Sequence, residues 1–149
     1  MESSEWNLKK KLENLNNGYG YSLSNADELF IEESNVIKEL AEKDSCVIIG
    51  RCADFVLKDK ENIISIFIYS SMEDKIKRST EIYGLEKEKA EKEINKINKL
   101  RANHYKHYTE KDWKNPENYD ICINSDTLGI EKTADLICEM VQEKENILA

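Results

Sequence analysis

Three short apolar runs break up a chain otherwise dominated by charged, helix-forming residues: Cys46–Ile49, Ile63–Tyr69 and Tyr119–Ile123. None alternates cleanly between apolar and polar positions. Both faces of each are therefore expected to be buried, as in a parallel sheet covered by helices. Before the first run, Leu29, Phe30, Ile37 and Leu40 recur at helical spacing and give a helix from near Ala26 to Lys43-Asp44, capped by Ser24 or Asn25. Between the first two runs a short helical turn spans Ala53 to Leu57. After the second, Ser71-Met72-Glu73-Asp74 is an S-x-x-D capping box, opening a helix that runs to Tyr83 and stops at Gly84. A long helix from about Glu86 to Tyr108 carries the seam Ala90, Ile94, Ile97, Arg101, Tyr105 and Tyr108 at alternating spacings of four and three. A last helix starts near Ile130 and carries Ala134, Ile137, Met140 and Val141.

This order predicts an α/β fold, three-layered, with a short parallel sheet covered by helices. A single domain is expected over residues 1–149. Residues 1–24 form a poorly defined N-terminal segment, where Leu8, Leu12 and Leu15 give a weak helical stripe and Gly18 to Ser22 a loop.

Composition narrows the class. The chain has 149 residues and a formal net charge of −8, with no basic patch, which argues against nucleic-acid binding. No window approaches a membrane span, and Met1-Glu2-Ser3-Ser4-Glu5 lacks the basic and apolar regions of a signal peptide. Cys46, Cys52, Cys122 and Cys138 show neither a CxxC pair nor zinc spacing. Cys46 and Cys122 lie in apolar runs, so buried reduced thiols and a cytoplasmic location are expected. No metal site is expected among them.

The candidate chemistry is arginine. Only Arg51, Arg78 and Arg101 are arginine among the 22 cationic residues. A guanidinium grips phosphate with a planar fork that an ammonium lacks. Arg51 follows the first apolar run, Arg78 lies on the capped helix after the second, and Arg101 interrupts the seam of the long helix. Ligands of open parallel sheets bind at the carboxyl ends of the strands, so all three arginines are expected to converge on one cavity there. Asp54 either orients Arg51, accepts from a base or sugar, or caps the turn at Ala53–Leu57. Tyr105, Tyr108 and Trp113 either stack on a base or belong to the core. His104 and His107 have no third ligand nearby and read as an exposed helix face.

Val47-Ile48-Ile49-Gly50-Arg51-Cys52-Ala53-Asp54 resembles the cytidylate kinase-like family of nucleoside monophosphate kinases. Ile66-Phe67-Ile68-Tyr69 with Glu73 to Arg78 resembles the family's fourth strand and arginine-bearing helix. Ala90, Ile94, Lys99, Arg101, His104-Tyr105 and Tyr108-Thr109 resemble its lid-side helix. Asn118 to Ser125 with Leu128 to Glu131 resembles its closing strand and final helix. The likeness covers roughly residues 28 to 140. One departure is large: the family's opening strand and glycine-rich phosphate loop have no counterpart, since Gly18-Tyr19-Gly20-Tyr21-Ser22 is followed by no lysine. A smaller one is Asn98, where the family has aspartate.

The resemblance implies a P-loop kinase-like fold without its first βα unit. It also implies a phosphotransferase acting on ATP and a CMP-type substrate with Mg²⁺, in a truncated or naturally loop-less form that is expected to be inactive as this chain alone. Arg51, Asp54 and Tyr105 then contact substrate, Arg78 and Arg101 close on the transferring phosphates, and Asn124 and Ser125 lie near the adenine. Two alternatives stand beside it: a non-catalytic nucleotide- or phosphate-binding module, and an interaction domain whose exposed sheet edge takes a second copy or a partner chain.

Overall fold

The computed structural model describes residues 24–148. The expectations for Leu8, Leu12, Leu15 and Gly18 to Ser22 lie outside the described residues. Helix α1 spans Asn25–Lys43. Its start follows from Ser24, whose Oγ accepts from the Asp27 N–H at 3.2 Å while Asp27 Oδ2 accepts from the Ser24 N–H at 3.3 Å. That reciprocal box satisfies two of the amides that every helix N-terminus leaves unpaired. A short helix α2, Ala53–Val56, follows. Strand β1 is Ile66–Tyr69, helix α3 Met72–Glu81 and helix α4 Lys87–Thr109. A 3₁₀ turn at Pro116–Asn118 leads to strand β2, Ile121–Asn124, and helix α5, Ser125–Leu148. Within α5, Gly129 at φ 77° and ψ 170° breaks the helical path, so the regular helix resumes at Ile130.

The fold is α/β, with a two-stranded parallel sheet in which Ile66 pairs with Ile121 and Tyr69 with Asn124. Contacts divide the chain into two compact units. Among the described residues, the first comprises 24–63 and 104–112, the second 64–103 and 113–148.

In the first unit, Ile37, Ala53 and Leu57 form a small buried cluster, with Ala41, Ile48, Val56 and Ile63 against it. Phe30 stacks on Tyr108 at 3.8 Å between centroids, and the Tyr108 hydroxyl donates to the Ala26 carbonyl at 3.0 Å. In the second unit, Phe67 meets Tyr119 face-on at 5.0 Å and the edge of Trp113 at 5.5 Å. Ser65 ties the strand starts together: its N–H donates to Asp120 Oδ2 at 2.6 Å, and its carbonyl accepts from the Asp120 N–H at 2.9 Å.

Several expectations are corrected. Cys46–Ile49 is not a strand: no described residue pairs with it, and Val47 and Ile49 are 92% and 90% exposed while Ile48 packs inward. Apolar runs report burial potential, whereas a strand exists only with a hydrogen-bonded neighbour. The second run is a strand only from Ile66, and the third runs from Ile121 to Asn124. Burial on both faces fails at Ile68 and Tyr69, which are exposed at the carboxyl end of β1. Leu29 and Leu40 are exposed, leaving Phe30 and Ile37 as the buried stripe of α1. Cys46 is exposed and Cys122 half-buried; the buried thiol is Cys52, and all four cysteines are free.

Candidate functional site

In the second unit a cavity of about 320 Å³ opens at the carboxyl ends of β1 and β2. Lys75 and Arg78 reach it from α3, Arg101 and Asn98 from α4. Hydroxyls of Ser70, Ser79 and Ser125 join them, and Ile68, Tyr69, Tyr83, Ile94 and Ile97 supply an apolar wall. Three cations thus line one cavity in a protein of net charge −8, a local inversion of sign that suits an anion.

Local structure explains the placement. The Ser71 hydroxyl accepts from the Asp74 N–H at 3.1 Å and fixes where α3 begins. The other half of this cap comes from α5, because the Ser71 N–H donates to Asp126 Oδ2 at 2.7 Å. That bond, with the fields of Arg78 and Lys75, holds the Asp126 carboxyl below the usual carboxylate range. Asp74 is left free to pair with Arg78 Nη2 at 3.0 Å, and the same nitrogen donates to Ser70 Oγ at 3.0 Å. Gly84, at φ +66°, ends the helical segment by letting the Leu85 N–H reach the Ser79 carbonyl at 3.0 Å. Ser125 Oγ donates to the Tyr69 carbonyl at 3.2 Å, and Asn124 Oδ1 accepts from the Asp126 N–H at 3.0 Å. Asn124 and Ser125 therefore also brace the strand ends, and of the two only Ser125 lines the cavity.

Of the three arginines, the cavity brings together Arg78 and Arg101. Arg101 is exposed rather than a buried seam charge. Arg51 is not among the lining residues. It sits in the first unit, with Nη1 3.3 Å from Glu33 Oε1. Its backbone is unusual: Gly50, Arg51 and Cys52 take φ values of +72°, +57° and +56° in succession. Each non-glycine residue held there costs about 1–2 kcal/mol, a strain that clusters at functional segments. Asp54 neither orients Arg51 nor caps α2; its Oδ2 accepts from the Tyr105 hydroxyl at 2.6 Å. Burial, Asp54 and Glu33 push the Cys52 thiol up to about 12, so it stays protonated and is no nucleophile.

His104 is half-buried rather than exposed. It lies 6.1 Å from Phe30 and 4.9 Å from Tyr108 between ring centroids, and its Nε2 is buried without a hydrogen-bond partner among the described residues. Burial lowers its pKa from 6.5, Arg51 and His107 add to the shift, and Glu33 opposes it. The folded protein thus favours neutral His104. Its contribution is fully present above 6.5 and is lost as pH falls from there through the lowered folded value. The thermal midpoint of the wild type should drop more steeply than that of His104→Phe from about pH 7.5 to about pH 5.5, where most carboxylates stay ionised. Parallel curves for the two proteins would refute this role.

Sequence reasoning missed Lys75, Ser79 and Glu33. For Lys75 a signal existed, since it precedes Arg78 by three residues on a helix whose start Ser71 had already fixed. For Glu33 none did, because its partner is a tertiary one.

These features define an α/β protein with a cavity lined by three cations at the carboxyl ends of parallel strands. The model of the cytidylate kinase-like family matches residues 2–127, and the chain belongs to that family. The crystal structure of an uncharacterized protein from Eubacterium ventriosum is similar, with 32% sequence identity and a TM-score of 0.75 over 81% of this chain and 69% of that one. No curated protein matches the chain. Among the described residues, no helix is long and apolar enough to cross a membrane.

Proposed function

We propose that the protein is a nucleoside monophosphate kinase-like phosphotransferase and that its cavity receives the phosphate of a CMP-type substrate. One observation carries this reading: Lys75, Arg78 and Arg101 converge with three serine hydroxyls at the carboxyl ends of the sheet. Phosphoryl transfer asks a protein chiefly for positioning and for cancellation of charge, which this set supplies. Tyr69 and Tyr83 also line the cavity and supply aromatic rings for a base. Arg51, Asp54 and Tyr105 enter as substrate-binding residues, and Asn124 as a nucleotide-binding one, on the family likeness. The same likeness brings ATP and Mg²⁺ as the phosphate donor. Among the described residues no group of three His, Cys, Asp or Glu side chains would hold a metal ion. The part the cavity residues play is to bind and orient the acceptor phosphate. The four free thiols favour action in the cytoplasm.

Calorimetry with CMP tests the reading. The wild type should bind, and Arg101→Met should bind about tenfold more weakly, the value of one charge-assisted contact. No binding to the wild type, or equal affinity in both proteins, would end it.

A second reading, a protein-interaction domain, is favoured by the exposed Val47 and Ile49 on an apolar segment without a described ladder partner. A second copy pairing there would give a dimer that Val47→Lys/Ile49→Lys converts to monomer in analytical ultracentrifugation. A monomeric wild type would remove it.

A further inference from the structure

Lys75 is the cavity cation to which neither the family likeness nor the sequence pattern gives a role. It precedes Arg78 by three residues on α3, so the two side chains share a helix face, and both line the cavity. Lys77, between them, is exposed and does not line it. Lys75 is half-buried and makes no ion pair among the described residues. The nearby acids are engaged elsewhere: Asp74 pairs with Arg78, and Asp126 Oδ2 accepts from the Ser71 N–H. Arg78 in turn is already shared between Asp74 and Ser70. A half-buried ammonium that lines a cavity, within the field of Asp126 but in no direct ion pair among the described residues, is complementary to an anion that enters it.

Resting on the reading that this cavity takes a nucleotide phosphate, we infer that Lys75 is a further ligand-binding residue that contacts the same phosphate as Arg78 and Arg101. The guanidinium forks set the orientation of the phosphate oxygens. The ammonium, a compact charge on a flexible stem, adds attraction with little demand on geometry. Lys75 is accordingly the cavity position most tolerant of exchange between lysine and arginine.

The test is calorimetry with CMP on the wild type and on Lys75→Met, Lys75→Arg, Lys77→Met and Arg101→Met, at about 0.05 M and about 0.2 M salt, where screening differs strongly. Lys75→Met is expected to bind about tenfold more weakly and with a shallower salt dependence. Lys75→Arg should retain most of the affinity, Lys77→Met should match the wild type, and all variants should keep the wild-type unfolding midpoint. If Arg101→Met weakens binding and Lys75→Met does not, the role of Lys75 is overturned while the cavity reading stands. If neither substitution weakens binding, the cavity reading fails and takes this inference with it. If Lys75→Arg and Lys75→Met are equally weak and both unfold more readily, Lys75 is a structural residue and the inference is wrong.

Discussion

Phe30→Ala is expected to lower the unfolding free energy by about 3–5 kcal/mol, the range for removing a buried aromatic ring. Phe30 is 3% exposed. Its ring lies flat on Tyr108, with 10° between planes, and faces the edge of His104. Truncation therefore removes two aromatic contacts and opens a void between α1 and the last turns of α4 in the first unit. The neighbouring buried cluster among the described residues, Ile37, Ala53 and Leu57, is small and offers little to absorb that loss. Phe30→Leu should cost less than half as much. Tyr108→Phe, which loses the bond to the Ala26 carbonyl and keeps the stack, should cost about 1 kcal/mol. Urea unfolding of the three variants measures these values. A Phe30→Ala cost below about 1 kcal/mol would show that the Phe30–Tyr108 stack does not hold the unit together.

Much of this architecture was legible because its signals are local. Ser24 and Asp27 announce the start of α1 three residues apart, and Ser71 does the same for α3. The seam of α4 placed that helix within one residue of its observed ends, Lys87 and Thr109. A helix carries its own hydrogen bonds, so a stretch of sequence can specify it alone. A strand cannot. Cys46–Ile49 has the composition of a strand and lacks the described neighbour that would make it one. The site divides along the same line. Arg78 and Arg101, which line the cavity, stood out because arginine is scarce in this chain, one on the capped helix after a strand and the other interrupting a helix seam. Glu33 beside Arg51 and Tyr105 on Asp54 are contacts between elements, and their spacing in sequence carries no trace of them. For Asp54, likewise, the nearest arginine in sequence is not its partner in space.

Arg78→Met is expected to weaken CMP binding on the order of a hundredfold, more than the loss of either other cavity cation. Two effects add. The first is the lost charge-assisted contact, worth roughly 1.5–3 kcal/mol. The second is the release of Asp74, which in the wild type is held 3.0 Å from Arg78 Nη2. Without that partner its carboxylate stands uncompensated beside a site built for an anion, and like charges repel. Ser70 Oγ, which accepts from the same nitrogen, also loses its donor and with it a fixed orientation in the cavity wall. The two effects separate in a double variant. Arg78→Met/Asp74→Asn removes the repulsion and leaves the lost contact, so it should recover about tenfold of the deficit. Asp74→Asn alone should bind CMP as well as the wild type or better, because it frees a guanidinium otherwise shared with a carboxylate. If the double variant binds no better than Arg78→Met, Asp74 is not part of the electrostatics of the site. If Arg78→Met binds like the wild type, the cavity at the strand ends is not where the phosphate goes.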